Sequence, residues 1–250
     1  MGRQPEGPPP PPVVQRLRVH YAKRGRLRFT SHRDFARAFE RAIHRSGLPI
    51  AFSAGFSPHP KVSYAGAAPT GVASEAEYLE IGLADQREPE AIRAALDSAL
   101  PPGLDVVQVV EAVPGAPALA DRIEASLWRI ELGEVSHAEA SRALATLLEL
   151  DSVVVDRRTK DGVRPVDARA AIVSAWVLPS ESAGSGAVCA TLEAVVRHAT
   201  PAVRPDDVVT ALRRAAGLST PVTPMVTRLA QGLLDAELPL DDGCLIDPLS

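Results

Sequence analysis

With 250 residues, 46% of them hydrophobic, the chain is long enough for two ordinary domains with separate cores, and its 2 cysteines exclude a disulfide framework or a Cys-rich metal cluster. The net charge of −4 conceals an asymmetry: residues 1–64 hold 12 Lys/Arg against 3 Asp/Glu, whereas the rest hold 15 against 28. A +9 front and a −13 remainder suit a polyanionic partner at one end and solubility at the other. No stretch approaches the ~20 apolar residues of a membrane span, and the start lacks the apolar core of a secretory signal. A cytoplasmic protein with no membrane contact, no cofactor and no metal is therefore expected.

In chain order, the proline run at 8–12 predicts an extended, disordered tail over residues 1–12. Residues 13–21 predict a strand in which Leu17, Val19 and Tyr21 alternate with Arg16, Arg18 and His20. Ser31 followed by Asp34 starts a helix that Gly47 stops, with Phe35, Ala38, Phe39, Ala42 and Ile43 as its apolar stripe. Arg33, Arg37, Arg41 and Arg45 recur every fourth residue, a spacing that drifts by about 40° per step and makes a ridge on the exposed side. Residues 48–52 read as a short strand, and residues 54–61 as a loop, because Pro58 and Pro60 bracket His59. Strands follow at 62–68 and 77–83, a helix at 90–100 and a strand at 106–110. This is the element order of a ferredoxin-like domain over residues 13–112.

A Pro/Ala/Gly-rich linker at 113–122 leads to a similar order over residues 123–236. It comprises a strand at 127–132, a helix at 137–150, strands at 153–157, 168–178 and 187–197, a helix opened by Arg204 and Pro205, and a strand at 225–233. Residues 237–250 read as an acidic tail. The fold class is α+β: two tandem ferredoxin-like (βαββαβ) units with antiparallel sheets.

Function points to the front block. Arg26, Arg28, Arg33, Arg37 and Arg41 supply phosphate-neutralising charge, while Phe52 and Phe56 supply faces on which bases stack. His59, bracketed by Pro58 and Pro60, and Lys61 after them would fix register. RNA with unpaired segments is the preferred ligand. Docking to an acidic protein and a merely solvated basic face remain open, and some of the rings belong to the core. His20, His32, His44 and His59 also lie in this block, so metal-independent RNA cleavage with His32 or His59 as proton shuttle is a rival reading. No nucleophile, base and orienting acid fall at a recognisable spacing. Glu75 and Glu77 before the strand at Tyr78 suit an intramolecular ion pair or a bound amine.

The run Tyr21-x-Lys23-x-Gly25-x-Leu27-x-Phe29-x-Ser31-His32-x-Asp34, then Phe39-Glu40-Arg41-Ala42, Gly47-Leu48-Pro49 and Gly55-Phe56-Ser57-Pro58-x-Pro60-Lys61, resembles the radical SAM-linked protein family. The resemblance continues through Ala67-Ala68-Pro69-x-Gly71-Val72-x-Ser74-Glu75-x-Glu77-Tyr78 and covers residues 15–112. Beyond them, Trp128-Arg129-Ile130-Glu131-Leu132, Asp167-Ala168-Arg169, Arg204-Pro205 and Thr227-Arg228 look like eroded landmarks of the same family. Members are encoded beside, or fused behind, radical SAM proteins, and their own role is not established. The resemblance thus implies a partner, a radical SAM protein, and no particular reaction. Without a CxxxCxxC motif this chain is not the SAM enzyme itself. The expected role is an accessory RNA-binding protein that presents RNA or a ribonucleoprotein to that enzyme; a purely protein-binding adaptor is a further alternative.

Overall fold

The computed structural model describes residues 10–160, 162–179, 188–235, 237 and 244–250. Most of the expected N-terminal tail, and part of the acidic tail, lie outside the described residues. The chain divides into two compact units, Met1–Arg122 and Ile123–Pro248. Each is α+β with antiparallel strands.

The first unit runs β1 (Gln15–Lys23), α1 (His32–Ser46), β2 (Val62–Ala65), β3 (Ala73–Leu83), α2 (Pro89–Ala99) and β4 (Leu104–Glu111). Its strands lie side by side as β4-β1-β3-β2, antiparallel at every pairing. Alternation along β1 puts Leu17, Val19 and Tyr21 into a core shared with Leu79, Ile81 and Leu83 of β3, Phe35, Phe39 and Ile43 of α1, and Ile92 and Leu96 of α2. The helix starts where the sequence predicts: the Ser31 hydroxyl accepts the Asp34 N–H at 3.2 Å, and Gly47 ends it in the left-handed region at φ 63°. Several of the block's rings are structural. Tyr21 stacks on Phe35 with centroids 4.4 Å apart, Phe35 meets Phe39 at 5.8 Å, and Tyr64 stands edge-on to Phe35 at 5.8 Å.

The expected strand at 48–52 is reduced to two isolated bridges, Ile50 to Leu83 and Phe52 to Pro60. Proline breaks the ladder on both sides here, at Pro49 and Pro60, and the chain makes a hairpin instead. That hairpin closes on β3 at Gly82, which donates to the Lys61 carbonyl at 2.9 Å and accepts the Ala51 N–H at 2.8 Å. A Cβ at Gly82 would meet Val13 and the Lys61 side chain at 3.1 to 3.3 Å, so the glycine sets how closely the hairpin sits.

The second unit runs β5 (Ala125–Gly133), α3 (His137–Leu148), β6 (Val154–Thr159), β7 (Gly162–Asp167), α4 (Ala168–Ala171), β8 (Ile172–Val177), β9 (Cys189–Arg197), α5 (Pro205–Ala216), β10 (Met225–Leu234) and β11 (Leu245–Ile246). Its sheet has the order β10-β5-β9-β8, again antiparallel, and β11 adds to β10. A capping box between Ser136 and Glu139 starts α3, which packs with α5. Two differences from the sequence reading stand out. The expected strand at 168–178 begins with a helical turn, because the Asp167 carboxylate caps it by accepting the Ala170 N–H at 3.2 Å. Before it, β6 and β7 pair only with each other, as a ribbon outside the main sheet. Charge and Pro165 in this stretch hide the alternation that marks a strand.

Candidate nucleic-acid interface

The fold sorts the cations of the front block into two groups. Arg16 and Arg18, on the face of β1 away from the helices, share Glu80: Arg16 donates to it at 3.1 Å and Arg18 lies 3.6 Å from it. Arg18 is buried and also donates to the Pro117 carbonyl at 2.6 Å, so residues beyond β4 lie over it. His20 stacks on Tyr78 at 4.8 Å and donates to the Glu75 carbonyl at 2.6 Å. Arg24 is clamped by Glu75 and by Asp105, at 2.8 Å from the latter, and these carboxylates raise its pKa further. Glu75 is thus an ion-pair partner of the protein's own arginine, and Glu77 accepts the Ala68 N–H at 3.0 Å. Lys23 is buried against the Ala68 and Pro69 carbonyls, and Arg28 donates to Gly71 O at 2.9 Å. Arg45 donates to the Ala99 carbonyl at the end of α2.

Arg26, Arg33, Arg37, Arg41 and Lys61 form the other group. All five are exposed, and their side chains make no hydrogen bond or ion pair with any of the described residues. Arg33, Arg37 and Arg41 line the outer side of α1, opposite Phe35, Phe39 and Ala42. Arg26 lies in the short 3-10 turn Gly25–Phe29 just before the helix, beside Phe29, which is 67% exposed.

The hairpin that carries the remaining predicted residues flanks the same helix. Phe56 at its tip is 69% exposed, whereas Phe52 packs half-buried against the helical core. The base-stacking role expected of both therefore divides: Phe56 is open to a ligand, and Phe52 chiefly holds the hairpin to the core. The Ser53 N–H donates to the His59 carbonyl at 2.8 Å and the His59 N–H to the Ser53 hydroxyl at 3.0 Å, which ties the hairpin across its base. His59 lines a recess of about 220 Å³ together with Glu40 and His44 of α1, Phe52, Pro58 and Pro60. It also borders a second recess of about 260 Å³, where Lys61 and Arg16 lie with Glu80.

Alternation explains the division. Val62 and Tyr64 pack on the helical core, so Lys61 and Ser63 turn to the opposite face of the sheet. Lys61 is consequently not on the α1 ridge. His32, at the start of α1, stands edge-on to Tyr64 at 4.9 Å and lines neither recess. The histidine that lines a recess with His59 is His44, which the sequence reading, with His32 or His59 as the proton shuttle, did not single out. Its signal was present in the helical period, since His44 and Glu40 share a side of α1. Burial, with a smaller push from Glu40, drives the Tyr64 phenol up to about 12.

Among the described residues no group of three or more His, Cys, Asp or Glu is placed to hold a metal, and no helix is long and apolar enough to cross a membrane. Cys189 is exposed and Cys244 is buried.

A family model described as "Uncharacterized protein conserved in bacteria (DUF2344)" matches residues 16–205. No curated protein matches the chain. Among solved structures, a chain titled as an unknown protein from Galdieria sulphuraria is 14% identical, covering 88% of this chain and 99% of its own, with a TM-score of 0.24, too low to bear on the fold.

Proposed function

The chain belongs to this bacterial DUF2344 family, and for it we propose the role of a cytoplasmic accessory protein that binds RNA through α1 and works with a separately encoded radical SAM enzyme. One observation carries the RNA reading: the side chains of Arg33, Arg37 and Arg41 stand along one helix face without a partner among the described residues, and the rings of Phe29 and Phe56, on the segments before and after α1, are exposed. Phosphates are held by the guanidiniums and unpaired bases stack on the rings, each well-engaged stack contributing about 1 to 3 kcal/mol. The radical SAM partner rests on the sequence resemblance over residues 15–112. Both units are read as ferredoxin-like, supported by their strand orders: each places its fourth, first, third and second sheet strands side by side, the β6–β7 ribbon being an insertion. In this reading RNA lies on a helix and its neighbouring hairpin, because the opposite face of β1 is occupied by Glu80 and by residues beyond β4.

The test is fluorescence anisotropy of an unstructured, mixed-sequence RNA oligonucleotide with the purified full chain at low and moderate salt. Binding should weaken steeply with salt and vanish in the Arg33→Glu/Arg37→Glu/Arg41→Glu variant, with thermal unfolding unchanged. Equal binding by this variant overturns the proposal. If the radical SAM enzyme instead co-purifies after nuclease treatment and is lost in the same variant, α1 is a protein-docking face.

A second reading, metal-independent RNA cleavage, draws support from the recess that brings His59 beside His44 and Glu40, two groups able to move a proton each way and a carboxylate near them. Incubation of RNA with the protein in the presence of a chelator tests it. Cleavage should be lost in both His44→Ala and His59→Ala, and intact RNA overturns it.

A further inference from the structure

The β6–β7 ribbon answers to nothing in the first unit's interface. Its root is built into the second unit: Val155 and Val166 are buried, Asp167 accepts from the Ser152 hydroxyl at 2.7 Å and the Val153 N–H at 3.1 Å, and Arg157 reaches Asp207 and the Ala202 carbonyl beside α5. Past that root the described residues on both strands are exposed. Val163 is 65% exposed, and the side chains of Arg158, Lys160 and Arg164 make no hydrogen bond or ion pair with any of the described residues. A two-stranded ribbon with no packed face has little stability of its own, so its outer part is a poor structural device but a ready contact surface.

Its charge runs against its surroundings. Residues 123–250 hold 12 Lys/Arg against 18 Asp/Glu, yet Arg157, Arg158, Lys160 and Arg164 fall within eight residues that contain one acid, Asp161. With Arg157 engaged by Asp207, Arg158, Lys160 and Arg164 are the three cations whose side chains have no partner among the described residues. Arg158 sits opposite Val163 and Arg157 opposite Arg164, so Arg158 and Arg164 lie on opposite faces of the ribbon, and Lys160 lies in the turn that follows β6. No aromatic residue occurs between 154 and 167, so this surface has phosphate-neutralising groups and no faces for bases.

We infer that the β6–β7 ribbon is a second RNA-contacting element, holding the phosphate backbone of a base-paired stem through Arg158, Lys160 and Arg164. A stem keeps its bases inside and presents phosphates and 2′-hydroxyls, which is what a ring-free cationic ribbon can engage; unpaired bases go to the ringed surface of the first unit. The ligand class that uses both surfaces is an RNA with a stem adjoining an unpaired segment. The inference rests on RNA being the ligand of α1.

The experiment compares the full chain, the Arg158→Glu/Lys160→Glu/Arg164→Glu variant and the α1 triple variant. The probes are a stem-loop RNA and a single-stranded RNA of the same length. The ribbon variant should bind the stem-loop at least tenfold more weakly, with the slope of log K against log salt reduced by roughly 2 to 3, and should bind the single strand as before. Gln replacements at the same three positions give the same contrast if the Glu variant folds poorly. Undiminished stem-loop binding by the ribbon variant, with the α1 variant defective, overturns the ribbon alone. Equal loss on both probes overturns the assignment to a stem. No binding of either RNA by the unaltered chain overturns both readings.

Discussion

Two faces of the first unit are both basic in the sequence and opposite in consequence. Along β1, Arg16, Arg18 and His20 point to the face away from the helices, where Glu80, the Pro117 carbonyl, Tyr78 and the Glu75 carbonyl occupy them. Along α1, Arg33, Arg37 and Arg41 have no partner among the described residues. A count of cations measures what a chain could offer a polyanion, and the pairing that folding imposes decides what it does offer. The first face is part of the structure. The second is available to a ligand.

Removing Glu80 breaks this contrast most severely. Glu80→Ala leaves the buried Arg18 without its carboxylate and should cost about 3 kcal/mol in urea unfolding, with RNA affinity unchanged. Loss of RNA binding in a folded Glu80 variant would erase the distinction between the faces. Phe56→Ala should behave in the reverse way, losing about 1 to 3 kcal/mol of RNA affinity by anisotropy and no stability, since that ring packs on nothing in the core. Ser31→Ala should lower stability by about 1 kcal/mol through loss of the α1 cap, and thermal unfolding measures it. Smallest is Arg16→Ala: its side chain is 65% exposed, so the loss of its ion pair with Glu80 should change stability by about 0.5 kcal/mol or less.

The ribbon's root gives a pH-dependent counterpart. At Asp167 burial alone would raise the carboxyl pKa, but hydrogen bonds from Ser152, Ala170 and Val153 outweigh it and hold the value below the usual range. A depressed folded-state pKa stabilises the fold above the unfolded value, about 4, and that contribution fades as pH falls through the folded value. Amide protection in β6 and β7, measured against the intrinsic exchange rate at each pH, should therefore fall on acidification over that range. Asp167→Asn should flatten this dependence, and an unaltered profile would show that the carboxylate does not anchor the ribbon.

Much of the first unit was legible residue by residue. Ser31, Asp34, Gly47 and the stripe from Phe35 to Ile43 specify α1, and alternation through Leu17, Val19 and Tyr21 specifies β1, because both signals depend on neighbours within a few residues. Only half of the ribbon was legible: β6 falls on the strand expected at 153–157, whereas β7, with Val166 as its one buried side chain, shows no period. The meeting of His59 with His44 was hidden because it depends on how the 52–60 hairpin folds back onto α1.

The sequence by itself determined the charge asymmetry, the caps and periods of its helices and strands, and the ridge of arginines every fourth residue. Tertiary structure alone decided which of those arginines stay unpaired, which rings enter the core and which histidines share a recess. The physical reason is reach: caps and periods act over a turn or two of chain, whereas an ion pair such as Arg18 with Glu80 joins residues that only the sheet brings together.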